Sequence, residues 1–440
     1  MIYVDYHSFA YQMTSLEVLC TADIHIGRRP SRLPERFDPA EFSPRQAWTD
    51  LAATAVNRGV DAVVVAGDLV DSENWYAEAF GAVESVATTL AEAEIPLIVV
   101  AGNHDSEVLP DLADAIDHLK LLGRNGTWER HSLTSAGGDP LLHLDGWSFP
   151  DLYHNESPLA TYDLSDEGVP RLGVVHADLS DENRYAPVDV DDLATSGHVA
   201  WVLGHLHVPG KRHDNPPVIY PGSLQPLDPS ETGGHGAWVL SVGTDGTVDT
   251  EPLSSATLHY EEVGVSTTPE QNFHDIVDAA YERLRDVVTE CGAETELLAV
   301  NLVVEGRTDA YTDLRSRQGE LEQIEFKDDG ISIRVIDVDI DTSPSIDLAE
   351  RAGDDDPIGY LAGLLCALHG DEPIDPYQDV IEKAHASVRE THESNAYREL
   401  KNHDESYTRP TEAETRDVLR QQARQIADAF AEQQGVTADE

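Results

Sequence analysis

The chain is poor in positive charge. Lys and Arg number 29 in 440 residues, only five of them lysine, against 83 Asp and Glu, for a formal net charge of −54. Such a composition leaves no material for a broad basic face of the kind that grips nucleic acid through phosphate contacts. The acid runs along the whole chain rather than in one tail, as expected of a proteome adapted to molar salt, where the screening length falls to about 3 Å at about 1 M. Charge of this kind reports habitat, not partner.

Cysteine is scarce too. Cys20, Cys291 and Cys366 are widely spaced and odd in number, which excludes a disulfide framework and a zinc ribbon and suits a reducing compartment. The first twenty residues hold no Lys or Arg and no unbroken apolar core, so they do not read as a signal peptide, and Met13 is an alternative start. Long hydrophobic runs are also missing, so no membrane span is expected and the protein reads as soluble and cytoplasmic.

What the sequence does contain is a series of short apolar runs: 16–22, 60–67, 95–102, 170–177 and 198–205. Val, Ile and Leu closed by Gly or a turn residue predict strands buried on both faces. The stretch 43–59 begins Ser-Pro and stops at Gly59, sound cap chemistry for a helix, and 76–94 predicts a second. Strand alternating with helix makes residues 14–258 a layered α/β domain. Further on, 269–291 sets Phe273, Ile276, Ala280, Leu284 and Val288 on one helical face, and two strand-like runs follow, predicting a small α/β module over 259–345. Residues 346–440 read as helical. There Thr411 and Glu414 form a capping box, and Leu419, Ala423, Ile426 and Phe430 make one apolar stripe. That last helix is expected to bind a partner and to be dispensable for folding.

Each of the five strands delivers metal-binding side chains at its end. In order they are Asp23 and His25, Asp68 in "GDLVD", Asn103 and His104 in "GNHD", His176, and His205 and His207 in "GHLH". Ligands of open α/β sheets gather at the carboxyl ends of the strands, so these residues are expected to build one site. Imidazole and carboxylate without thiolate suit Mn²⁺, Fe²⁺ or Zn²⁺. Asp68 lies between the two halves of the set in chain order and is the natural bridge between two cations. Taken singly each motif is unremarkable, and His118, His131, His143 and His274 read as ordinary surface or satisfied residues.

The ordered set D-x-H, GD, GNHD, H and GH-x-H resembles the calcineurin-like metallophosphoesterase superfamily. The resemblance implies an αββα fold and two divalent metals, most readily Mn²⁺. One would take Asp23, His25, Asp68 and His207, and the other Asp68, Asn103, His176 and His205. It makes His104 the acid beside the phosphate, oriented by Asp105. The protein-phosphatase branch carries an arginine soon after GD, where Ser72 and Glu73 stand here. By contrast, the stretch 220–242 with its Pro-Gly-Ser turn is similar to the SbcD-type DNA repair nucleases. That likeness implies DNA as substrate, an SbcC-like coiled-coil ATPase as partner, a cap domain at 259–345 and a partner-binding tail, with homodimerisation left open. Rivals are a phosphodiesterase for a nucleotide or other small phosphoester, and a DNA-end-binding scaffold with weak catalysis. Arg28, Arg29, Arg32 and Arg36 follow the first metal motif and Lys211 and Arg212 the last, so the few cations cluster where DNA would enter.

Overall fold

The computed structural model describes residues 15–33, 37–71, 76–179, 184–369, 375–393 and 411–437. Met13, Glu35, Arg36, Ser72 and Glu73 lie outside the described residues. The chain divides into two compact units, one of residues 1–263, 283–302 and 322–337, the other of 264–282, 303–321 and 338–440.

The first unit is built on two six-stranded sheets. In chain order the strands are β1 (Ser15–Thr21), β2 (Ala62–Ala66), β3 (Leu97–Val100), β4 (Leu119–Leu121), β5 (Trp128–Thr134), β6 (Pro140–Trp147), β7 (Arg171–His176), β8 (Ala200–Gly204), β9 (Gly210–Asp214), β10 (Pro217–Tyr220), β11 (Gly236–Gly243) and β12 (Val248–Ser254). One sheet runs β12-β11-β1-β2-β3-β4 and the other β5-β6-β7-β8-β10-β9. Their centres, β1 to β4 and β6-β7-β8-β10, are parallel.

The apolar runs alternate between two cores, as strands covered on both faces must. Val18 and Cys20 of β1, Val64 and Ala66 of β2 and Ile98 of β3 meet Leu144, Leu172, Val174 and Val202 of the second sheet. Their neighbours Leu19, Val63, Val65 and Val99 pack instead on Trp48, Leu51 and Ala55 of helix Pro44–Arg58 and on Val83, Val86 and Leu90 of helix Tyr76–Glu92. The other sheet's outer face joins Trp201 and Leu203 to Leu193 of helix Val190–Thr195. The layers are therefore helix, sheet, sheet, helix, as expected. Ser43 caps the first helix by accepting from the Gln46 N–H, and Gly59 ends it at φ 70°, both foreseen from their residue types.

A polar network is buried at the end of the second sheet away from the strand ends that carry the metal motifs. Arg130 donates to both carboxylate oxygens of Asp145 at 2.7 and 2.9 Å, Tyr162 adds a third bond at 2.6 Å, and the His198 ring stands 3.3 Å away. Burial works to raise the Asp145 pKa, but Arg130, His198 and Tyr162 outweigh it and hold the carboxyl well below its usual range. A depressed carboxylate stabilises the fold above its unfolded pKa and loses that contribution only as pH falls through the folded value. Asp145→Ala would strand the Arg130 guanidinium, so a loss of about 3–5 kcal/mol is expected. Denaturant unfolding at neutral pH measures it, and a cost under about 1 kcal/mol would show that the network contributes little.

A third sheet has the order β13 (Leu258–Thr267), β14 (Leu297–Thr308), β16 (Ile331–Pro344), β15 (Glu325–Asp328). Both strand-like runs of the expected α/β module are present in it, and its expected helix spans Phe273–Val288. In the second unit, Leu364, Leu365 and Leu368 of helix Pro357–His369 cluster with Ile381 and with Ala423 of helix Glu412–Thr437. The Thr411–Glu414 capping box forms, with the Glu414 N–H donating to Thr411 Oγ1 and the Thr411 N–H to Glu414 Oε2. Asp428 accepts two bonds from Arg307 at 2.7 and 2.8 Å. The last helix is thus packed into its own unit through half of its stripe, which corrects the expectation that it is dispensable for folding.

Candidate metal centre

The metal motifs all leave the carboxyl ends of parallel strands. Asp23 and His25 follow β1, Asp68 follows β2, Asn103 and His104 follow β3, His176 closes β7, and His205 and His207 follow β8. The route differs from an extended D-x-H segment. Asp23, His25 and Asp68 have φ of 48°, 52° and 52°, and His205 has 104°, left-handed values that typically cost non-glycine residues about 1–3 kcal/mol each. Backbone bonds hold them there: the Asp23 N–H donates to Gly67 O at 3.1 Å and the His25 N–H to Asp68 O at 2.9 Å. Asn103 and His104 likewise stand in a turn, not a continuing strand.

Small residues make room for this. A Cβ on Gly67, whose φ is 92°, would stand 2.5 Å from His176 Nδ1, and one on Gly102 would collide with the Asp68 carboxylate. The glycines of "GD" and "GN" are therefore part of the site's shape.

Beside a grouping of His25, Asp71 and His104, the expected ligands form two clusters among the described residues. In one, Asp23, His25 and His207 bring ligand atoms together, and His25 Nε2 faces His207 Nε2 at 3.1 Å. In the other, Asp23, Asp68 and His176 converge, with His176 Nε2 3.1 Å from Asn103 Oδ1 and 3.4 Å from Asp68 Oδ2. The same Asp68 oxygen stands 3.9 Å from His25 Nε2, so it looks towards both clusters. His205 differs in degree. Its backbone N–H donates to both Asp23 oxygens at 3.1 Å, while its ring packs 5.5 Å from that of His176 and its Nε2 lies 3.7 Å from Asp178.

The donor set fits cations. His207 Nδ1 bonds Glu231 Oε1 at 2.8 Å and His176 Nδ1 bonds the Ala66 carbonyl at 3.0 Å. With those protons on Nδ1, each Nε2 presents a bare lone pair, that of His176 towards Asn103 Oδ1 and Asp68 Oδ2 and that of His207 towards His25 Nε2. Acceptor facing acceptor in a buried place needs a positive centre between them, and a fixed outer hydrogen bond is how metal-binding imidazoles are held. Burial, with His176 nearby, also lowers the His205 pKa to about 4, which keeps that imidazole neutral as a ligand must be.

Asp105 is buried, and its oxygens accept the backbone N–H groups of Gly102 at 2.7 Å and Leu69 at 2.8 Å. It staples the "GNHD" turn to the "GDL" turn and does not orient His104, contrary to expectation. The carboxylate near His104 is Asp71, whose Oδ1 is 3.4 Å from His104 Nδ1, 3.6 Å from His25 Nδ1 and 3.8 Å from Arg28 Nε. The His104 pKa is raised, first by Asp71, against the opposing effect of burial. Sequence reasoning passed over Asp71, although it stands only three residues after Asp68. It also missed Glu231 and Asp178, for which no local pattern exists.

Of the cations, Arg28 is half-exposed beside Asp71 and Arg29 is exposed. Arg32 pairs with Asp337 at 2.5 Å. Lys211 stands 3.8 Å from Asp214, and Arg212 lies 5.7 Å over the Tyr220 ring, both on the edge strand β9.

Comparison with known proteins agrees with this geometry. Residues 16–209 match the model of the calcineurin-like phosphoesterases. An uncharacterised metallophosphoesterase, YhaO of Bacillus subtilis, is 26% identical over 328 residues, which cover 71% of this chain and 76% of that protein. A DNA double-strand break repair protein, Mre11 of Aeropyrum pernix, is 29% identical over 229 residues, or 49% of this chain and 55% of that protein. Among solved structures, a dimetal phosphatase from Danio rerio covers 55% of this chain and 99% of its own at 13% identity, with a TM-score of 0.35, too remote to bear on substrate. With acceptor-lined clusters at the strand ends and the family match running through all but the last strands of both sheets, this chain carries a calcineurin-like metallophosphoesterase domain and is a metal-dependent phosphoester hydrolase.

Proposed function

We propose that the protein is a DNA nuclease of the SbcD type, hydrolysing phosphodiester bonds as the nuclease subunit beside a coiled-coil ATPase in DNA repair. The observation that carries DNA as substrate is Arg28. In a chain of net charge −54, this cation stands half-exposed at the mouth of the site, 3.8 Å from the carboxylate that neighbours both His25 and His104. Arg29, Lys211 and Arg212 would extend the contact. The Aeropyrum relative, named for double-strand break repair, supports the same reading.

Asp23, His25, Asp68 and His207 would hold one divalent cation and Asp68, Asn103, His176 and His205 the other, most readily Mn²⁺. When bound, such a pair polarises a phosphate oxygen and lowers the pKa of a water. The chain's own groups do the rest. Glu231 and Ala66 O fix the tautomers of His207 and His176. Asp71 keeps a proton on His104, and His104 gives that proton to the leaving oxygen. Asp105 holds the two turns in register.

We assign residues 14–258 to the nuclease domain, 259–345 to a cap and 346–440 to partner binding in the cytoplasm of a salt-adapted cell. Among the described residues no helix is long and apolar enough to cross a membrane. Ile426 and Phe430, 49% and 37% exposed, are the half of the stripe left for the ATPase. Ile426→Asp with Phe430→Asp should spare nuclease activity and the unfolding midpoint but end co-purification with the ATPase subunit. Retained co-purification would remove the helix from the interface.

The deciding assay offers Mn²⁺ in molar KCl with end-labelled DNA and, separately, small phosphodiesters. Cleavage of the esters with DNA untouched would favour a small-phosphoester hydrolase. A purely structural DNA-end scaffold is disfavoured because the ligand set is complete.

A further inference from the structure

Aromatic rings lead outward from the metal centre. The Tyr185 ring lies against that of His205, centroids 4.7 Å apart and planes within 34°. Tyr153 continues from Tyr185 at 5.8 Å, and the Arg184 guanidinium covers the Tyr153 ring at 5.9 Å. Backbone pairing builds this row. The His154 N–H donates to Arg184 O at 2.9 Å and the Ala186 N–H to His154 O at 2.8 Å, so the two loops that carry the rings are zipped together. The inner end is anchored as well, because the Asp178 N–H donates to Tyr185 O at 3.1 Å, and Asp178 faces His205.

Burial does not account for the outer end. Tyr153 is 49% exposed, with Leu152 at 43% beside it and Val208 at 48% just after His207. Arg184 is exposed too, while Asp151 on the same turn sets a negative charge next to the row. The composition sharpens the point. With 83 acidic residues against 29 basic, phosphate attraction can supply little affinity, and high salt weakens it further. Base stacking on aromatic rings needs no net charge on the protein and tolerates any sequence.

We propose that Tyr153, Tyr185 and Arg184 form a platform on which an unpaired nucleobase beside the scissile phosphate stacks, so that the substrate class is DNA with unpaired or frayed ends. The proposal rests on the nuclease reading above. A base inside a duplex has both faces covered by its neighbours and must unstack before it can lie on a ring, which favours single-stranded over fully paired strands. Tyr185 touches a metal ligand and serves two roles. Tyr153 touches none and is the residue to vary.

The test uses the full chain loaded with Mn²⁺ in molar KCl. Its substrates are an end-labelled single-stranded oligonucleotide, the same oligonucleotide with abasic sugars through the cleaved region, and methyl 4-nitrophenyl phosphate. Removing a stacking ring typically costs about 5- to 150-fold in affinity per base. Tyr153→Ala should therefore lower kcat/KM for the intact strand, relative to the abasic strand, by roughly that factor, and Tyr153→Phe should restore it. Equal losses on intact and abasic strands, or no loss on either, would overturn the platform and leave the nuclease reading standing. A wild-type enzyme that hydrolyses the small ester and leaves both strands whole would overturn the nuclease reading and the platform with it.

Discussion

Asp68→Ala is expected to abolish hydrolysis and to empty both metal positions. Its Oδ2 stands 3.4 Å from His176 Nε2 and 3.9 Å from His25 Nε2, one reference atom from each cluster. Its Oδ1 meanwhile accepts the His104 backbone N–H at 2.9 Å, so the carboxylate is pinned and cannot rotate away from the clusters. Burial works to raise its pKa, and the nearby histidines prevail to lower it, so the group is ionised as a bridge must be. Removing it would leave His25, His176 and Asp23 crowded in a buried pocket without the carboxylate that faces both clusters, which no divalent cation would occupy tightly. Asp68→Asn keeps the shape and removes the charge, so it separates a ligand effect from a packing effect. Metal analysis of purified variants decides the matter. One metal retained at full occupancy in Asp68→Ala would assign the bridge elsewhere.

How much of this could be read from the chain varies with the physics of each part. β1, β2, β3, β7 and β8 are covered on both faces, and continuous apolar runs announce them. Strands β5 and β9 lie at sheet edges, where "WERHSLT" and "GKRHD" leave most of their residues half-buried or exposed and carry no run to notice. β6 was hidden by Asp145, a buried charge that only its distant partners Arg130 and Tyr162 make tolerable. Helix ends were legible because Ser43, Gly59 and Thr411 act through their own neighbours. The same distinction governs the site. The ligands follow strands within a few residues, so each is marked by the apolar run that precedes it. Asp71 was within reach, since it shares a turn with Asp68, but an extended-backbone picture of these segments hid which imidazole it would meet. Left-handed turns at Asp23, His25 and Asp68 set that geometry, and no residue type there demands them. Glu231 reaches His207 across 24 residues, a contact that only the folded chain brings together.

His104→Ala should lower turnover by about 10²–10⁴ while both metals stay bound. Its ring lies at the open side of the centre, 5.0 Å from the His25 ring and nearly perpendicular to it. Its backbone N–H is already committed to Asp68 Oδ1, which sets where the ring can go. The nitrogen near Asp71 is Nδ1, at 3.4 Å, so Nε2 is the one left to meet a substrate. An imidazole held protonated by a carboxylate can donate to a leaving alkoxide, and its ordinary pKa near neutrality lets it recover the proton between turnovers. Asn103, the residue before it, already supplies an amide oxygen 3.1 Å from His176, so the second cluster does not need His104 as well. Among the described residues the His25–Asp71–His104 grouping argues otherwise, because these three could themselves hold an ion. Two measurements separate the cases. If His104 is the acid, the loss shrinks for substrates with a good leaving group such as 4-nitrophenolate, which needs no proton, and metal content stays at two. If it is a ligand, the loss is the same for every leaving group and one metal disappears with it. Asp71→Asn should follow the first pattern with a smaller loss, since it leaves the imidazole in place and removes only the charge beside it.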